Sequence, residues 1–329
     1  MDAARGIAVG VDIGGTKVAA GLVNAEGRIV FQTRVPMPVR GSASDGFGAV
    51  QSAIESVFAA RPDVRRELTE IGICAPGPLD PLTGVILNPP NVPCWRNFPL
   101  AEEVKRTFAL SALVDNDGNA AALAEAIWGA GVGYRNVFYA TLGTGIGTGI
   151  VLDGKIYHGR TGSAAEGGHL SIDYRGPVCG CGKRGCIEAL CSGPAIARRA
   201  KEHLAGWQRS ESQPRESKIL ALAGGSAGGV TMEIVAEAFR AGDPFADELL
   251  RETADLLAIW AGNVIDLLEP DVFIFGGGLA ELMSGFFGRM REQLPRWCVN
   301  QRVLEMPMVL AKYGQDAGIA GAAALCRQL

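Results

Sequence analysis

Short apolar runs that end in glycine-rich turns recur along the chain and predict its framework. The run from Ile7 to Val11 leads into DIGGTK and is followed by two strand-like segments, VAAGLV and RIVFQTRV. The run from Val137 to Leu142 leads in the same way into GTGIGTG and then into IVLDGKIY. Because this strand–turn–strand unit recurs about 130 residues later, the pattern predicts two domains of similar topology that face each other.

Apolar strands alternate with helical patterns along the rest of the chain. The first half has the predicted elements helix Ala49–Phe58, strand Ile71–Ala75, the loop APGPLDPLTGVILNPPNVPCW, strand Ala112–Asp115 and helix Ala120–Trp128. The second half has helix Pro244–Leu268, strand Val272–Phe275 before three glycines, strand Met308–Ala311 and helix Ala317–Arg327. The Gly/Ser-rich stretch from Ala205 to Val230 is predicted to be a surface excursion of little catalytic interest. The alternation predicts an α/β fold with mostly parallel strand pairing.

Composition and charge narrow the class of protein. With 329 residues, 48% of them hydrophobic, the chain is long enough for two domains with large cores. The net charge of −4 argues against a nucleic-acid-binding protein, which normally carries a basic face. No apolar run reaches the length of a membrane span, and Met1 to Arg5 lacks the layout of a signal peptide. We therefore expect a soluble, cytoplasmic protein with no nucleic-acid or membrane partner.

One histidine and three cysteines in GGHLSIDYRGPVCGCGKRGCIE have the spacing H-x9-C-x-C-x4-C. A disulfide in a secreted protein or a group of buried thiols are the alternatives. Clustered cysteines in a reducing cytosol more often bind metal. The predicted ligands of a structural zinc ion are His169, Cys179, Cys181 and Cys186, with the carboxylates of Glu166 and Glu188 on either side.

Three glycine-rich turns are candidates for phosphate binding, because such turns line up backbone N–H groups. Ordinary hairpin and strand-to-helix turns are the alternative explanation. In the first turn, Asp12 could hold a hydrated magnesium ion. None of the three turns is a Walker-type loop, so a nucleotide site here would use the arrangement of the actin and hexokinase architecture. The candidate ATP-binding residues are Asp12, Gly14, Gly15, Thr16, Lys17, Gly143, Thr144, Gly145, Gly276 and Gly277.

The segment DNDGNAA, from Asp115 to Ala121, contains the best candidate for a catalytic acid–base residue. A hydroxyl group that attacks phosphorus benefits when a carboxylate accepts its proton. Asp117 lies just before a predicted helix, where the turn would hold its side chain. Helix capping is an equally good explanation for an aspartate at this place, so both roles remain open.

The order of these motifs resembles the ROK family of sugar kinases and related repressors. The matching segments are DIGGTK, APGPLDPLTGVI with NVPCW, DNDGNAAALAE, LGTGIGTGI, GSAAEGGH, CGCGKRGCIEALCSGP and FGGGL. The resemblance implies two actin-like (ribonuclease H-like) α/β domains that face each other across a cleft, with a zinc-binding loop in the larger one. It implies a smaller domain of residues 1–116, joined by the C-terminal helix 315–329, and a larger domain of residues 117–314.

The resemblance also implies roles for individual residues. Asp117 would be the general base that takes the proton of the sugar 6-hydroxyl, and magnesium would arrive with ATP. His169 would have two functions, with one ring nitrogen on zinc and the other on a sugar hydroxyl. The implied sugar-binding residues are Gly77, Asn91, Asn116, Glu166, His169 and Glu188. A homodimer or a dimer of dimers is expected.

We expect an ATP-dependent kinase that converts glucose to glucose 6-phosphate. A kinase for N-acetylglucosamine or N-acetylmannosamine is the alternative within this class, and a non-catalytic sugar sensor is the alternative outside it. Cys94 and Gly167 depart from the family pattern near the sugar, and they put substrate preference in doubt more than catalysis. Since the first strand begins almost at Met1, we expect no helix-turn-helix domain and no repressor function.

Overall fold

The computed structural model describes residues 6–38, 40–209 and 217–327. Its strands are β1 (Ala8–Ile13), β2 (Lys17–Val23), β3 (Ile29–Pro36), β4 (Glu70–Ala75), β5 (Leu79–Asp80), β6 (Val85–Ile86), β7 (Ser111–Asn116), β8 (Val137–Leu142), β9 (Ile146–Leu152), β10 (Lys155–Ile156), β11 (Val272–Gly276) and β12 (Met308–Leu310). Its α-helices are α1 (Ala43–Ala60), α2 (Leu100–Phe108), α3 (Asp117–Trp128), α4 (Ile187–Cys191), α5 (Gly193–Arg209), α6 (Lys218–Leu222), α7 (Met232–Arg240), α8 (Pro244–Leu268), α9 (Gly278–Met283), α10 (Phe287–Gln293) and α11 (Ala317–Leu325).

The first sheet has the strand order β3-β2-β1-β4-β7. Strands β1, β2 and β3 pair antiparallel, whereas β4 runs parallel to both β1 and β7. The register aligns Asp12 with Cys74 and Cys74 with Asp115. Because carboxyl ends of parallel strands meet at one edge of a sheet, three groups that can ionise lie in neighbouring positions there.

The second sheet has the order β10-β9-β8-β11-β12, which repeats the topology of the first. Its β9 and β10 form an antiparallel pair, and β11 and β12 form a parallel pair. The predicted recurrence of the strand–turn–strand unit is therefore visible in the two strand orders. The strands that carry these glycine-rich turns hold corresponding places in the two sheets.

Contacts divide the chain into two compact units. The first comprises residues 1–139, 148–165 and 311–329, and the second comprises residues 140–147 and 166–310. The domain boundaries expected from the sequence, 1–116 with 315–329 and 117–314, stay a prediction. In the part of the chain that the structure describes, no helix has the length and hydropathy that a membrane crossing needs.

Helix α11 packs closely on the first sheet because glycines remove the side chains from the contact. A Cβ atom at Gly72 would lie 1.7 Å from the carbonyl oxygen of Ala322, and one at Gly10 would lie 2.1 Å from that of Ile319. Helix α11 is rich in alanine and contacts α3 as well as β1 and β4. This packing supports the sheet edge from which the first turn and α3 begin.

Helix α3 differs from its prediction at its first turn. The sequence pattern predicts a start at Ala120, but the helix begins at Asp117. The apolar periodicity begins only at the alanines, whereas the cap that starts the helix is polar. The short strands β5 and β6 also lie inside the segment predicted to be a loop.

Candidate active site

The first glycine-rich turn connects β1 to β2. The Gly14 N–H donates to the Lys17 carbonyl at 2.9 Å, and the side chains of Thr16 and Lys17 are exposed. A Cβ atom at Gly15 would lie 2.7 Å from the carbonyl oxygen of Asn91, so the two backbones approach closely. The turn therefore places a predicted phosphate-binding residue beside a predicted sugar-binding residue.

Asp12 lies near the end of β1, next to a buried thiol. The Cys74 Sγ donates to Asp12 Oδ1 at 3.5 Å. Burial raises the pKa of the Asp12 carboxyl above 3.8, although the hydrogen bond from Cys74 opposes this change. Burial and the neighbouring carboxylates raise the pKa of Cys74 well above 9.0. Cys74 is therefore a thiol at neutral pH, and its one proton is within reach of both Asp12 Oδ1 and the Gly318 carbonyl oxygen at 3.3 Å.

Asn116 and Asp117 lie where β7 meets α3. Asn116 is the N-cap, and its Oδ1 accepts the Gly118 N–H at 2.8 Å. Asp117 is the first helical residue, and its exposed side chain accepts the same N–H at 2.8 Å. Asp117 therefore takes part in helix capping, which is one of the two roles that the sequence leaves open for it. A helix N-terminus stabilises the ionised carboxylate, which is the form that a general base requires.

Gly77 lies beside Asn116 in the first unit. A Cβ atom at Gly77 would be 3.5 Å from Asn116 Nδ2. The structure thus places Gly77 next to Asn116, and Asn91 next to Gly15. The predicted sugar-binding residues of this unit border the residues predicted for catalysis and for phosphate.

The second glycine-rich turn connects β8 to β9. The Gly143 N–H donates to the Gly145 carbonyl at 3.0 Å, and the Gly143 carbonyl accepts the Gly193 N–H at 2.8 Å. A Cβ atom at Gly145 would lie 2.6 Å from Glu188 Oε2. The turn is thereby fixed against the start of α5 on one side and against a predicted sugar-binding carboxylate on the other.

The third turn separates β11 from α9. Gly277 has a φ of 84°, and a Cβ atom there would lie 2.4 Å from the Leu142 carbonyl oxygen. Only glycine combines this backbone conformation with so close an approach. Gly276 is buried at the end of β11, and the helix begins at Gly278.

The predicted metal ligands come together in the second unit. The ligand atoms of His169, Cys179, Cys181 and Cys186 all lie within 4.8 Å of one another. Cys179 Sγ is 3.6 Å from His169 Nδ1, and Cys181 Sγ is 3.7 Å from Cys186 Sγ. Zinc bonds of about 2.3 Å to sulfur and 2.0 Å to nitrogen separate tetrahedral ligand atoms by about 3.5–3.8 Å. These two distances match that spacing, and the four side chains form a group that could hold a metal ion.

The loop that carries the cysteines is a tight hairpin. The Cys179 N–H donates to the Lys183 carbonyl at 2.8 Å, and Val178 forms an isolated bridge with Arg184. Gly182 has a φ of 88°, which allows the reversal. All eight cysteines, each within the described residues, are free of disulfide bonds. The disulfide alternative is therefore absent from this structure.

Glu188 and Glu166 contact this cluster from two sides. Glu188 Oε2 accepts the Ile146 N–H at 3.0 Å, and its Oε1 lies 3.9 Å from His169 Nδ1. Glu166 Oε2 lies 4.0 Å from His169 Nε2. Trp260 Nε1 donates to the Gly167 carbonyl at 2.9 Å and so holds the backbone between them. His169 therefore has Nδ1 on the cysteine side and Nε2 on the side of Glu166.

A cavity of about 660 Å³ lies next to the second turn, entirely within the second unit. Sites for small molecules commonly have volumes of this size. Apolar groups from α5, α7 and α9 form most of its wall, and Lys201 and Arg240 add positive charge. The lining residues are Gly143, Thr144, Gly193, Pro194, Ala197, Lys201, Val230, Thr231, Met232, Glu233, Ala236, Arg240, Gly278, Leu279 and Leu282.

Comparison with known proteins assigns the family. The model of the ROK family matches residues 8–329. The chain belongs to the ROK family. It is 39% identical to a glucokinase of Streptomyces coelicolor over 330 residues, which cover 98% of each chain. It is 31% identical to an N-acetylmannosamine kinase of Salmonella arizonae, with 96% of this chain and 97% of that protein covered.

A solved structure of similar sequence supports the fold. This is a ROK family glucokinase from Streptomyces griseus in complex with glucose and AMPPNP, with a TM-score of 0.78 and 36% identity. The match covers 98% of this chain and 100% of that chain. The predicted family and the predicted α/β fold are both confirmed.

The sequence patterns did not indicate the cavity wall formed by α5 and α7. Pro194 and Thr231 mark helix starts in the sequence, but a helix start does not show what the helix packs against. The sequence predicts that the stretch from Ala205 to Val230 is a surface excursion of little catalytic interest. Val230 nevertheless lines the cavity, and residues 210–216 lie outside the described residues.

Proposed function

We propose that this protein is an ATP-dependent kinase that transfers a phosphoryl group to the 6-hydroxyl of glucose. The observation that carries the proposal is the place of Asp117, an exposed carboxylate at the first position of α3, beside the N-cap Asn116. Relatives of nearly equal length are glucokinases, and the similar solved structure holds glucose and AMPPNP. These relatives support glucose more strongly than an N-acetylhexosamine, because the N-acetylmannosamine kinases are less similar.

Asp117 accepts the proton of the 6-hydroxyl as the oxygen attacks phosphorus. Asn116 orients the sugar next to this base, and Gly77, Asn91, Glu166, His169 and Glu188 bind its other hydroxyls. Backbone N–H groups of the glycine-rich turns, other than those of Gly14 and Gly143, which donate within their own turns, bind the phosphate oxygens. Magnesium supplied with ATP would neutralise the phosphate charge, and Asp12 is the residue proposed to hold it.

The cavity beside Gly143 and Thr144 is proposed to bind the nucleoside of ATP. Its apolar wall suits a base, and Lys201 and Arg240, against the one carboxylate of Glu233, favour an anionic ligand. Gly278 lines this wall, and it directly follows Gly276 and Gly277, which are predicted to bind ATP.

A structural zinc ion is proposed to be bound by His169, Cys179, Cys181 and Cys186. When bound, it would hold the loop and the imidazole in place without taking part in phosphoryl transfer. Since Nδ1 faces the cysteines, Nε2 is the nitrogen that donates to a sugar hydroxyl. A homodimer, or a dimer of dimers, and a cytoplasmic location stay predictions.

A coupled assay of ADP release tests this function. Glucose, N-acetylglucosamine and N-acetylmannosamine are compared at equal concentration with a reaction that lacks sugar. We expect ADP release that depends on sugar, with the highest kcat/KM for glucose. Sugar binding in calorimetry without any sugar-dependent release would instead indicate the non-catalytic sensor. A higher kcat/KM for an N-acetylhexosamine would contradict the assignment of glucose.

A further inference from the structure

A second histidine, which the proposed reaction does not use, contacts the segment that carries the base. His158 follows β10, and its Nε2 lies 2.6 Å from Asp115 Oδ2. The exposed fractions of the two side chains are 30% for His158 and 6% for Asp115. Because a carboxylate only accepts hydrogen bonds, Nε2 carries the proton of this contact.

The other oxygen of Asp115 holds the start of α3. Asp115 Oδ1 accepts the Asn116 N–H at 2.7 Å and the Asn119 side-chain amide at 3.0 Å. Asn116 is the N-cap, and Asp117 follows it directly. One carboxylate therefore links His158 to the backbone from which the proposed base projects.

Two further carboxylates, those of Asp12 and Asp117, lie on neighbouring elements at the same edge of the sheet. Cys74 on β4 is influenced by Asp12 on β1, by Asp115 on β7 and by Asp117 on α3. Lys17 and Arg34 are the cations that act on Asp12, whereas His158 pairs directly with Asp115. A positive charge on His158 therefore balances a carboxylate two residues from Asp117.

We propose that His158 is a positioning residue for phosphoryl transfer, which acts by holding Asp115 and thereby the orientation and charge of Asp117. The inference rests on the proposed function, because it assumes that Asp117 is the base. The hydrogen bond and charge of Asp115 raise the pKa of His158 above 6.5. Protonated His158 favours the ionised form of neighbouring carboxylates, so its loss should make Asp117 easier to protonate.

Two substitutions separate the hydrogen bond from the charge. His158→Gln can keep a donor near the position of Nε2 but carries no charge, whereas His158→Ala removes both. His203→Gln is the matched control, because His203 lies on α5 and packs against Phe245 in the second unit. The wild type and the three variants are compared in kcat, in KM for glucose and ATP, and in the pH profile of kcat.

The alanine variant should lose about tenfold in kcat with little change in either KM, as expected for an effect on the transition state. The glutamine variant should keep most of its kcat near pH 8, but the acidic limb of its profile should move up by roughly half a pH unit. His203→Gln should match the wild type. A separate NMR titration of the three histidines should show the His158 midpoint above 6.5 in the wild type.

If the alanine and glutamine variants retain wild-type turnover and an unchanged acidic limb in the pH profile, this inference is overturned while the proposed function stands. Equal decreases in kcat and thermal stability, together with equal increases in KM, in both variants would also overturn it, because they would show a merely structural role. Lack of sugar-dependent turnover in the wild type would overturn the proposed function together with the inference. The NMR titration would still report on the His158–Asp115 pair in that case.

Discussion

At the scale of single residues, the junction of β7 and α3 concentrates the proposed chemistry. Asn116 and Asp117 both accept the Gly118 N–H, so the first turn of α3 holds both side chains. Asp115 and His158 secure the preceding backbone. A base held in this way loses little freedom when the sugar binds, which lowers the entropic cost of reaching the transition state.

Asp117→Asn tests the base directly. The amide keeps the size of the side chain but accepts no proton, so kcat should fall by roughly 10²-fold or more while glucose and ATP still bind. Steady-state kinetics and calorimetry measure the two quantities. Asp153→Asn, on an exposed aspartate that pairs with Arg135, is the control and should retain wild-type turnover. Near-normal turnover of Asp117→Asn would show that another group is the base.

At the scale of elements, loops and helices bring the second set of proposed contacts together. The cysteine hairpin places its ligands around His169, and the Ile146 N–H fixes Glu188 beside it. Helices α5, α7 and α9 surround the cavity next to Gly143. Each element therefore contributes only part of a site. A substitution in the cysteine hairpin should mainly affect glucose binding, and a substitution in the cavity wall should mainly affect ATP binding.

Cys181→Ser should release the proposed zinc ion and raise KM for glucose more than KM for ATP, since His169 would lose its fixed orientation. Metal content by mass spectrometry and kinetics on the same sample give the test. Cys298→Ser lies outside the cluster and serves as the control, with metal content equal to the wild type. Loss of metal with an unchanged KM for glucose would show that the metal site is only architectural.

Ala197→Leu fills part of the cavity between α5 and α7. The larger side chain should raise KM for ATP by about tenfold, equivalent to about 1.4 kcal/mol, and leave KM for glucose unchanged. The melting temperature with and without ATP provides a second readout. If KM for ATP stayed at the wild-type value, the nucleoside would bind elsewhere.

At the scale of the whole molecule, two sheets of the same strand order provide the framework for the glycine-rich turns. In the first unit, α11 comes from the C-terminal end of the chain and packs on the face of the sheet, and Gly10 and Gly72 permit this contact. The buried positions of α11 are mainly alanine, which suits a helix that lies this close to strands. The C-terminal segment is thus part of the core on which the β7–α3 junction rests.

Gly72→Ala should destabilise the protein by about 1–3 kcal/mol or more, because its Cβ atom would lie 1.7 Å from the Ala322 carbonyl oxygen. Gly48→Ala in α1 is the matched control, since an added Cβ atom meets no other atom there. This control should stabilise the protein by about 0.4–1 kcal/mol. Chemical denaturation measures both changes, and equal stability of the two variants would contradict the close packing of α11.

Local sequence patterns predict the strands with their glycine-rich turns, the helix Pro244–Leu268 and the grouping of His169 with three cysteines. These features depend on residues near one another in the chain, where periodicity and spacing are direct physical signals. Only the packing of distant elements brings His158 to Asp115, places α5 and α7 around a cavity with Gly143, and sets α11 against Gly72. These contacts join residues far apart in the chain, and they depend on how elements pack, which local patterns do not specify.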